Sequence, residues 1–348
     1  MKRLLLTGAS GFVGHHFLEH ALITTGWDVV ATGSFRHRGT CDRIAEVLKG
    51  GPAWSSDPPW RDRVRVLTHD LTAPFSPAEQ HLVAGPDGCD YIVAMASMSH
   101  VDDSIESPVV FTENNVAVIL NTLELARVLK PRAVVIISTD EVYGPVEPGQ
   151  AHAEWAPVLP SNPYSASKAA QEAISIAYWR TYSVPVILTN TMNMIGERQD
   201  VSKFVPKTLR AVLAGTEAVI HGSPGHAGSR HYLHARNLAD AVIWLLRNTR
   251  PAMYAAHDPD TDRPDRYNIA SPDRVDNLEL AAMIAHFAGR DLRWRWEDFH
   301  LTRPGHDAHY GLDPARILGL GWKPPVAFEE SLRRTVAWTM AHPSWLMG

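Results

Sequence analysis

Short apolar runs punctuate the first two-thirds of this chain. Arg3 to Thr7, Val29 to Thr32, Val64 to Leu67, Tyr91 to Ala94, Val134 to Ser138 and Val186 to Thr189 read as buried strands. Between several of them apolar positions recur at helical spacing, notably over Val116 to Leu129 and Ser165 to Tyr182. Strands alternating with helices predict an α/β fold with a doubly wound parallel sheet. Helical stretches follow at Val205 to Ala214 and Leu238 to Leu246, but the later chain is rich in Pro, Arg, His and Trp and alternates less regularly. The expected organisation is a larger domain over residues 1–191, rejoined by 232–255, and a smaller lobe from 192–231 and 256–348. Asp57-Pro58-Pro59, after Gly50-Gly51, reads as a surface excursion.

The first strand runs directly into Gly8-Ala9-Ser10-Gly11-Phe12-Val13-Gly14 and then into a helical pattern through Leu18 and Ala21. Strand, glycine loop and helix in that order form a dinucleotide-binding fingerprint. Its glycines allow a tight turn, close approach of a pyrophosphate to the helix N-terminus, and close packing of helix on strand. The domain is therefore expected to be of Rossmann type. An acid at the end of the second strand commonly holds the ribose hydroxyls of NAD, yet here the sequence reads Ala31-Thr32-Gly33-Ser34-Phe35-Arg36-His37-Arg38. Arg36 and Arg38 suit a 2'-phosphate and favour NADP over NAD.

Composition changes this picture little. Of 348 residues, 45% are hydrophobic and 20% charged, and a net charge of -5 gives no electrostatic reason to expect nucleic acid or acidic membranes as partners. Cys41 and Cys89 are too few for a disulfide framework. With no cleavable leader pattern and no apolar run of bilayer length, the expectation is cytoplasmic residence. The 18 histidines show no metal-ligand spacing: His15-His16 fall on the first helix, and His221 and His226 in a glycine-rich loop, so no metal is expected. Trp294 and Trp296, alternating with Arg293 and Arg295, read as a packed lobe edge.

The chemistry concentrates in two places. Thr139-Asp140-Glu141 follows directly on a strand, where open α/β sheets place their ligands. Tyr164 and Lys168 lie four residues apart, on one face of a helix beginning near Pro163. An ammonium beside a phenol lowers the phenol's pKa, preparing it to take a proton from a hydroxyl whose carbon loses a hydride.

With Ala96-Ser97-Met98-Ser99-His100-Val101-Asp102, Pro108, Phe111 and Asn115, Ser161 to Lys168, Thr189 to Asn193, Arg303-Pro304-Gly305-His306-Asp307 and Leu320-Gly321-Trp322-Lys323-Pro324 added, nearly the whole chain resembles the extended short-chain dehydrogenase/reductases. Within them it is most similar to the nucleotide-sugar 4,6-dehydratases, nearest the dTDP-glucose branch with features of the GDP-mannose branch, such as His234-Ala235. The resemblance implies a nucleoside-diphosphate hexose as substrate and a tightly bound, recycled NAD(P)+. Thr139, Asp140, Glu141, Tyr164 and Lys168 become catalytic residues, with Thr139 bonding the C4 oxygen. Gly8, Ser10, Gly11, Phe12, Val13, Gly14, Arg36, Arg38, Asp70, Leu71 and Ala96 would join Tyr164 and Lys168 on the cofactor, and Ser99, His100, Asn193, Lys203, Arg230, Asn268 and Arg303 would hold the substrate. It further implies a homodimer built on the helix after Asn115 and the helix carrying Tyr164. Related 4-epimerases and decarboxylases share the tyrosine but do not need the Asp140 acid. A cofactor-sensing protein on a dead reductase fold is the reading outside enzymes. The chain departs from the family pattern at Met98, in place of Glu or Gln, at His231, in place of Asp, and at Ala308-His309, in place of Arg-Arg.

Overall fold

The computed structural model describes residues 1–36, 38–50, 60–223, 226–255, 261–298 and 309–347. Seven strands form the central sheet: β1 (Arg3–Thr7), β2 (Asp28–Gly33), β3 (Val64–Thr68), β4 (Tyr91–Ala94), β5 (Ala133–Thr139), β6 (Val186–Thr191) and β7 (Asp265–Ile269). Their order is β3-β2-β1-β4-β5-β6-β7, and every neighbouring pair is parallel. The strand order reverses between β1 and β4, which opens a crevice beyond the carboxyl ends.

The uninterrupted apolar runs follow from burial on both faces. Leu4 and Leu6 of β1 pack with Phe17 and Leu18 of α1 (Phe12–Thr24). Leu5, pointing the other way, packs with Leu123 of α2 (Pro108–Leu129) and Trp179 of α3 (Pro163–Tyr182). Helix α3 starts where the sequence directs it. The Asn162 side chain accepts from Ser165 N at 2.9 Å, the Ser165 hydroxyl accepts from Asn162 N at 3.1 Å, and Pro163 takes the first helical position.

Further helices fall into different hydrophobic clusters. α4 (Phe204–Ala214), α6 (Asn277–Phe287) and α7 (Phe328–Ala341) share a separate cluster that includes Leu209, Leu280, Ile284 and Leu332, while α5 (Ala235–Asn248) lies on the central sheet beside α1. One assignment needs correction. Residues 256–348 were expected in the lobe, yet Asp265–Ile269 pairs with β6 as the edge strand of the central sheet. The strand carries Arg266 and Asn268, both buried, so its apolar signal is broken by polar groups that hydrogen-bond inside the protein through Arg266 Nη2 and Asn268 Nδ2. Asp57-Pro58-Pro59 lies outside the described residues. Among the described residues no helix is long and apolar enough to cross a membrane.

Candidate active site

A cleft of about 660 Å³ lies along the carboxyl ends of the strands, lined by residues following β1, β2, β3, β4, β5 and β6. At one end is the glycine loop, with Ser10, Phe12 and Val13 on the cleft wall. Gly8 has φ +69°, and a Cβ there would stand 2.9 Å from the Ala96 backbone. A Cβ on Gly14 would lie 2.0 Å from the Gly8 carbonyl oxygen, so the helix packs on the loop only because no side chain intervenes. Gly11 caps α1 without a side-chain hydrogen bond, which leaves the first N–H groups of the helix facing the cleft, as a pyrophosphate requires. Thr7 Oγ1 accepts from Met95 N at 3.0 Å and Ala96 N at 3.2 Å, fixing the end of β4 against β1. These residues fit a dinucleotide. Asp70 and Leu71 line the same end, but Arg36 is engaged by Asp70. Arg38 Nη1 reaches Asp200 Oδ2 at 2.9 Å, and its Nη2 reaches Asp103 Oδ2 at 3.3 Å. Both guanidiniums already hold carboxylates.

Midway along the cleft stand Thr139, Asp140, Glu141, Tyr164 and Lys168. The chain turns from β5 into a single 3-10 turn, Asp140–Val142, capped by the Thr139 side chain, which accepts from Glu141 N at 3.3 Å. Thr139 Oγ1 donates to Asp140 Oδ1 at 2.9 Å, while Asp140 Oδ2 is buried with no hydrogen-bond partner among the described residues. Burial, reinforced by the Glu141 charge, raises the Asp140 carboxyl to about 7. Glu141 is half-buried, and its Oε2 accepts from Asn162 Nδ2 at 3.1 Å. Lys168 is buried, and its ammonium donates to Ile137 O at 2.7 Å and to Gln171 Oε1 at 2.5 Å. Burial lowers it to about 8, against the raising charge of Glu172.

The Tyr164 phenol departs from expectation. Burial raises it far above the ordinary tyrosine range, the charges of Glu141 and Asp140 raise it further, and a hydrogen bond with the Thr139 side chain opposes them. The Lys168 ammonium is turned to Ile137 and Gln171. Behind the tyrosine helix, Asn115 is fully buried. Its Oδ1 accepts from Met98 N at 2.8 Å, and its Nδ2 donates to Met98 O at 3.0 Å and Ser167 Oγ at 2.8 Å. That clamp ties the loop after β4 to α3.

The far end of the cleft lies beyond β4 and β6. Ser99, His100, Asn193, Lys203 and Arg230 line it. Arg230 lies over the Tyr310 ring at 4.7 Å. Asn268 does not join them: it is fully buried in β7, and its Nδ2 donates to His152 O at 2.9 Å and Asp313 O at 3.2 Å. Its amide serves the joint between sheet and lobe. Arg303, with the motif Arg303 to Asp307, and Ala308 lie outside the described residues.

Comparison with known proteins places this geometry. The model of the NAD dependent epimerase/dehydratase family matches residues 4–270, most of the chain. The protein belongs to this family. Over 353 residues it is 32% identical to the dTDP-glucose 4,6-dehydratase of Mycobacterium tuberculosis, a match covering 99% of this chain and 95% of that protein. The crystal structure of the dTDP-glucose 4,6-dehydratase DesIV from Streptomyces venezuelae, with NAD and TYD bound, is similar at TM-score 0.80 and 30% identity, covering 99% and 98% of the two chains. The UDP-glucose 4-epimerase of Thermus thermophilus, in complex with NAD, is similar at TM-score 0.77 and 25% identity, covering 96% and 98%.

In this epimerase/dehydratase chain the fold also assembles groups that the sequence kept apart. His16, Glu197 and His234 place three potential ligand atoms within 4.8 Å of one another. Hydrogen bonding uses them otherwise. His16 Nε2 donates to the Glu197 carbonyl at 3.0 Å, and His234 Nδ1 accepts from Arg236 N at 3.0 Å, so His234 Nε2 carries the proton it gives to Glu197 Oε2 at 3.0 Å. Both nitrogens are protonated donors, and the cluster fastens α1 to the lobe. Sequence reading also missed Asn277, which lines the cleft and accepts from Tyr232 Oη at 3.0 Å. Asp276-Asn277 before an apolar periodic run reads as a helix cap, and Asp276 does cap α6. Nothing in that pattern distinguishes Asn277 as a cleft residue.

Proposed function

We propose that this chain is a nucleoside-diphosphate-hexose 4,6-dehydratase, acting on a dTDP-glucose-like substrate and yielding the 4-keto-6-deoxy sugar. The observation that carries the reading is the Asp140–Glu141 pair at the end of β5, where burial splits two adjacent carboxyls into different roles. A nicotinamide dinucleotide bound over the glycine loop supplies acceptance of a hydride from C4 and its return to C6. Tyr164 is the acceptor of the C4 hydroxyl proton, a role that requires the phenol first to lose the proton that burial and the two acids hold on it, with Thr139 bonded to the same oxygen. The C4 ketone acidifies the neighbouring C5–H, which Glu141 removes. Asp140, kept largely protonated below pH 7, gives its proton to the C6 hydroxyl, which leaves as water. Lys168 holds positive charge one turn beyond Tyr164 on the same helix.

The sequence favoured NADP through Arg36 and Arg38. Their engagement by Asp70, and by Asp200 and Asp103, supports NAD instead, as does the NAD bound in the related Streptomyces enzyme. Arg230, Lys203 and Asn193 are the proposed diphosphate ligands, with Ser99 and His100 nearer the sugar. A homodimer is supported by Val109 and Val110, 66% and 61% exposed on α2. An unpaired buried Cys89 and an exposed Cys41 accord with the cytoplasm.

The test is incubation of purified protein with dTDP-, UDP-, GDP- and CDP-hexoses without added cofactor, with products read by mass spectrometry and the mass of the protein by light scattering. Loss of one water from a dTDP-hexose is the expected result. An isobaric product would move the reading to epimerisation, and loss of carbon dioxide from a uronate to decarboxylation. No change, even with added NAD, would mark a non-catalytic cofactor-binding protein.

A further inference from the structure

Behind the catalytic strand end lies a buried ion pair with no place in the chemistry so far. Glu172 and Arg266 meet at 2.6 Å, each 2% exposed. Glu172 stands four residues beyond Lys168 on α3, one helical turn away. Its Oε1 accepts from the Ser138 hydroxyl and from Asn190 Nδ2 at 2.7 Å. Ser138 immediately precedes Thr139, and the same Asn190 Nδ2 donates to Thr139 O at 3.0 Å. From the other side Arg266 Nη1 donates to Tyr143 Oη at 3.1 Å, on the turn that follows Asp140 and Glu141. One carboxylate therefore touches the helix of Tyr164 and Lys168, the strand of Thr139 and, through Arg266, the turn of the two acids.

A buried pair built only for stability would gain little over apolar side chains of the same volume. Its placement supplies another reason. Tyr164 and Glu172 stand one helical turn either side of Lys168 on its own helix, and Asp140 and Glu141 line the same cleft at the end of β5. Of these, Glu172 supplies the charge that holds the Lys168 proton against burial.

We infer that Glu172, clamped by Arg266, is a positioning residue of this site: it fixes the end of β5 against α3 and sets its carboxylate one helical turn from Lys168. The inference rests on the dehydratase reading for its catalytic consequence; its effect on Lys168 follows from the helical spacing of the two residues together with the raising charge of Glu172.

The full chain with its cofactor serves as the test, using lysine labelled at Nζ so that Lys168 can be titrated by magnetic resonance without substrate. In Glu172→Gln, Lys168 is expected to lose its proton about one pH unit lower than in the native protein. With substrate, kcat should fall about 10- to 100-fold, with KM within about twofold and the alkaline limb moved in the same direction. Glu172→Asp keeps the charge and should restore the Lys168 titration without restoring full kcat. Should Glu172→Gln fail to fold, Glu172→Met with Arg266→Met removes the whole pair, a change buried cores tolerate. The same lowered Lys168 titration is expected there. A folded variant of either kind with native Lys168 titration and native kcat overturns the proposal. If the native protein removes water from no hexose, the dehydratase reading falls, and the Lys168 titration still decides the role of Glu172.

Discussion

Asp140 has to be protonated to give a proton and buried to stay protonated, and these two needs oppose stability above neutral pH. Its folded value, about 7, lies above the unfolded carboxyl value of about 3.9, so the folded state holds the proton more tightly. The stability this contributes is complete below pH 4 and is lost as pH rises through 7. Asp140→Asn should therefore raise the unfolding free energy at pH 8 by at most about 4 kcal/mol and leave it unchanged at pH 4, as measured by denaturant titration. The same variant should lose about 10²- to 10⁴-fold in kcat. Native kcat should itself decline as pH rises through about 7. At this scale the sequence was legible where chemistry and spacing coincide, as with Tyr164 and Lys168 or the adjacent Asp140 and Glu141. It was silent where function depends on burial. The raised phenol of Tyr164 and the inward turn of Asn268 follow from neighbours far away in sequence.

Elements were easier to read than their connections. All six strands expected from apolar runs form, and α2 and α3 end at Leu129 and Tyr182, as their patterns indicated. β7 escaped because its buried Arg266 and Asn268 look like surface residues until their partners are known. Asn115 shows the same principle inside a helix. Replacing it with Leu strips hydrogen bonds from Met98 N, Met98 O and Ser167 Oγ, and should cost about 3 kcal/mol of stability. Urea unfolding measures that loss; a change below about 1 kcal/mol would mean the loop after β4 is held by other contacts.

Across the whole molecule, three separate chain segments meet at Arg38: its own loop after β2, Asp103 after β4 and Asp200 from the lobe. Half-exposed ion pairs contribute little to global stability. Arg38→Ala should therefore leave the melting temperature nearly unchanged while speeding cofactor release about two- to fivefold, equally for NAD and NADP, in a stopped-flow displacement measurement. A loss of affinity confined to NADP would instead establish Arg38 as a 2'-phosphate ligand.

β7 carries a consequence of another kind. The chain leaves the sheet at Thr191, enters the lobe, returns to the sheet for α5 and β7, and leaves again for α6 and α7. A fragment ending at 191 would present the unpaired edge of β6 to solvent and leave Glu172 facing an empty place where Arg266 belongs. Cofactor and substrate units are thus not exchangeable modules. Recombination that cuts the chain once between them would leave this chain's Glu172 carboxylate facing another protein's residue in place of Arg266, so the unit that carries the ion pair whole is the chain through at least Ile269, not either half.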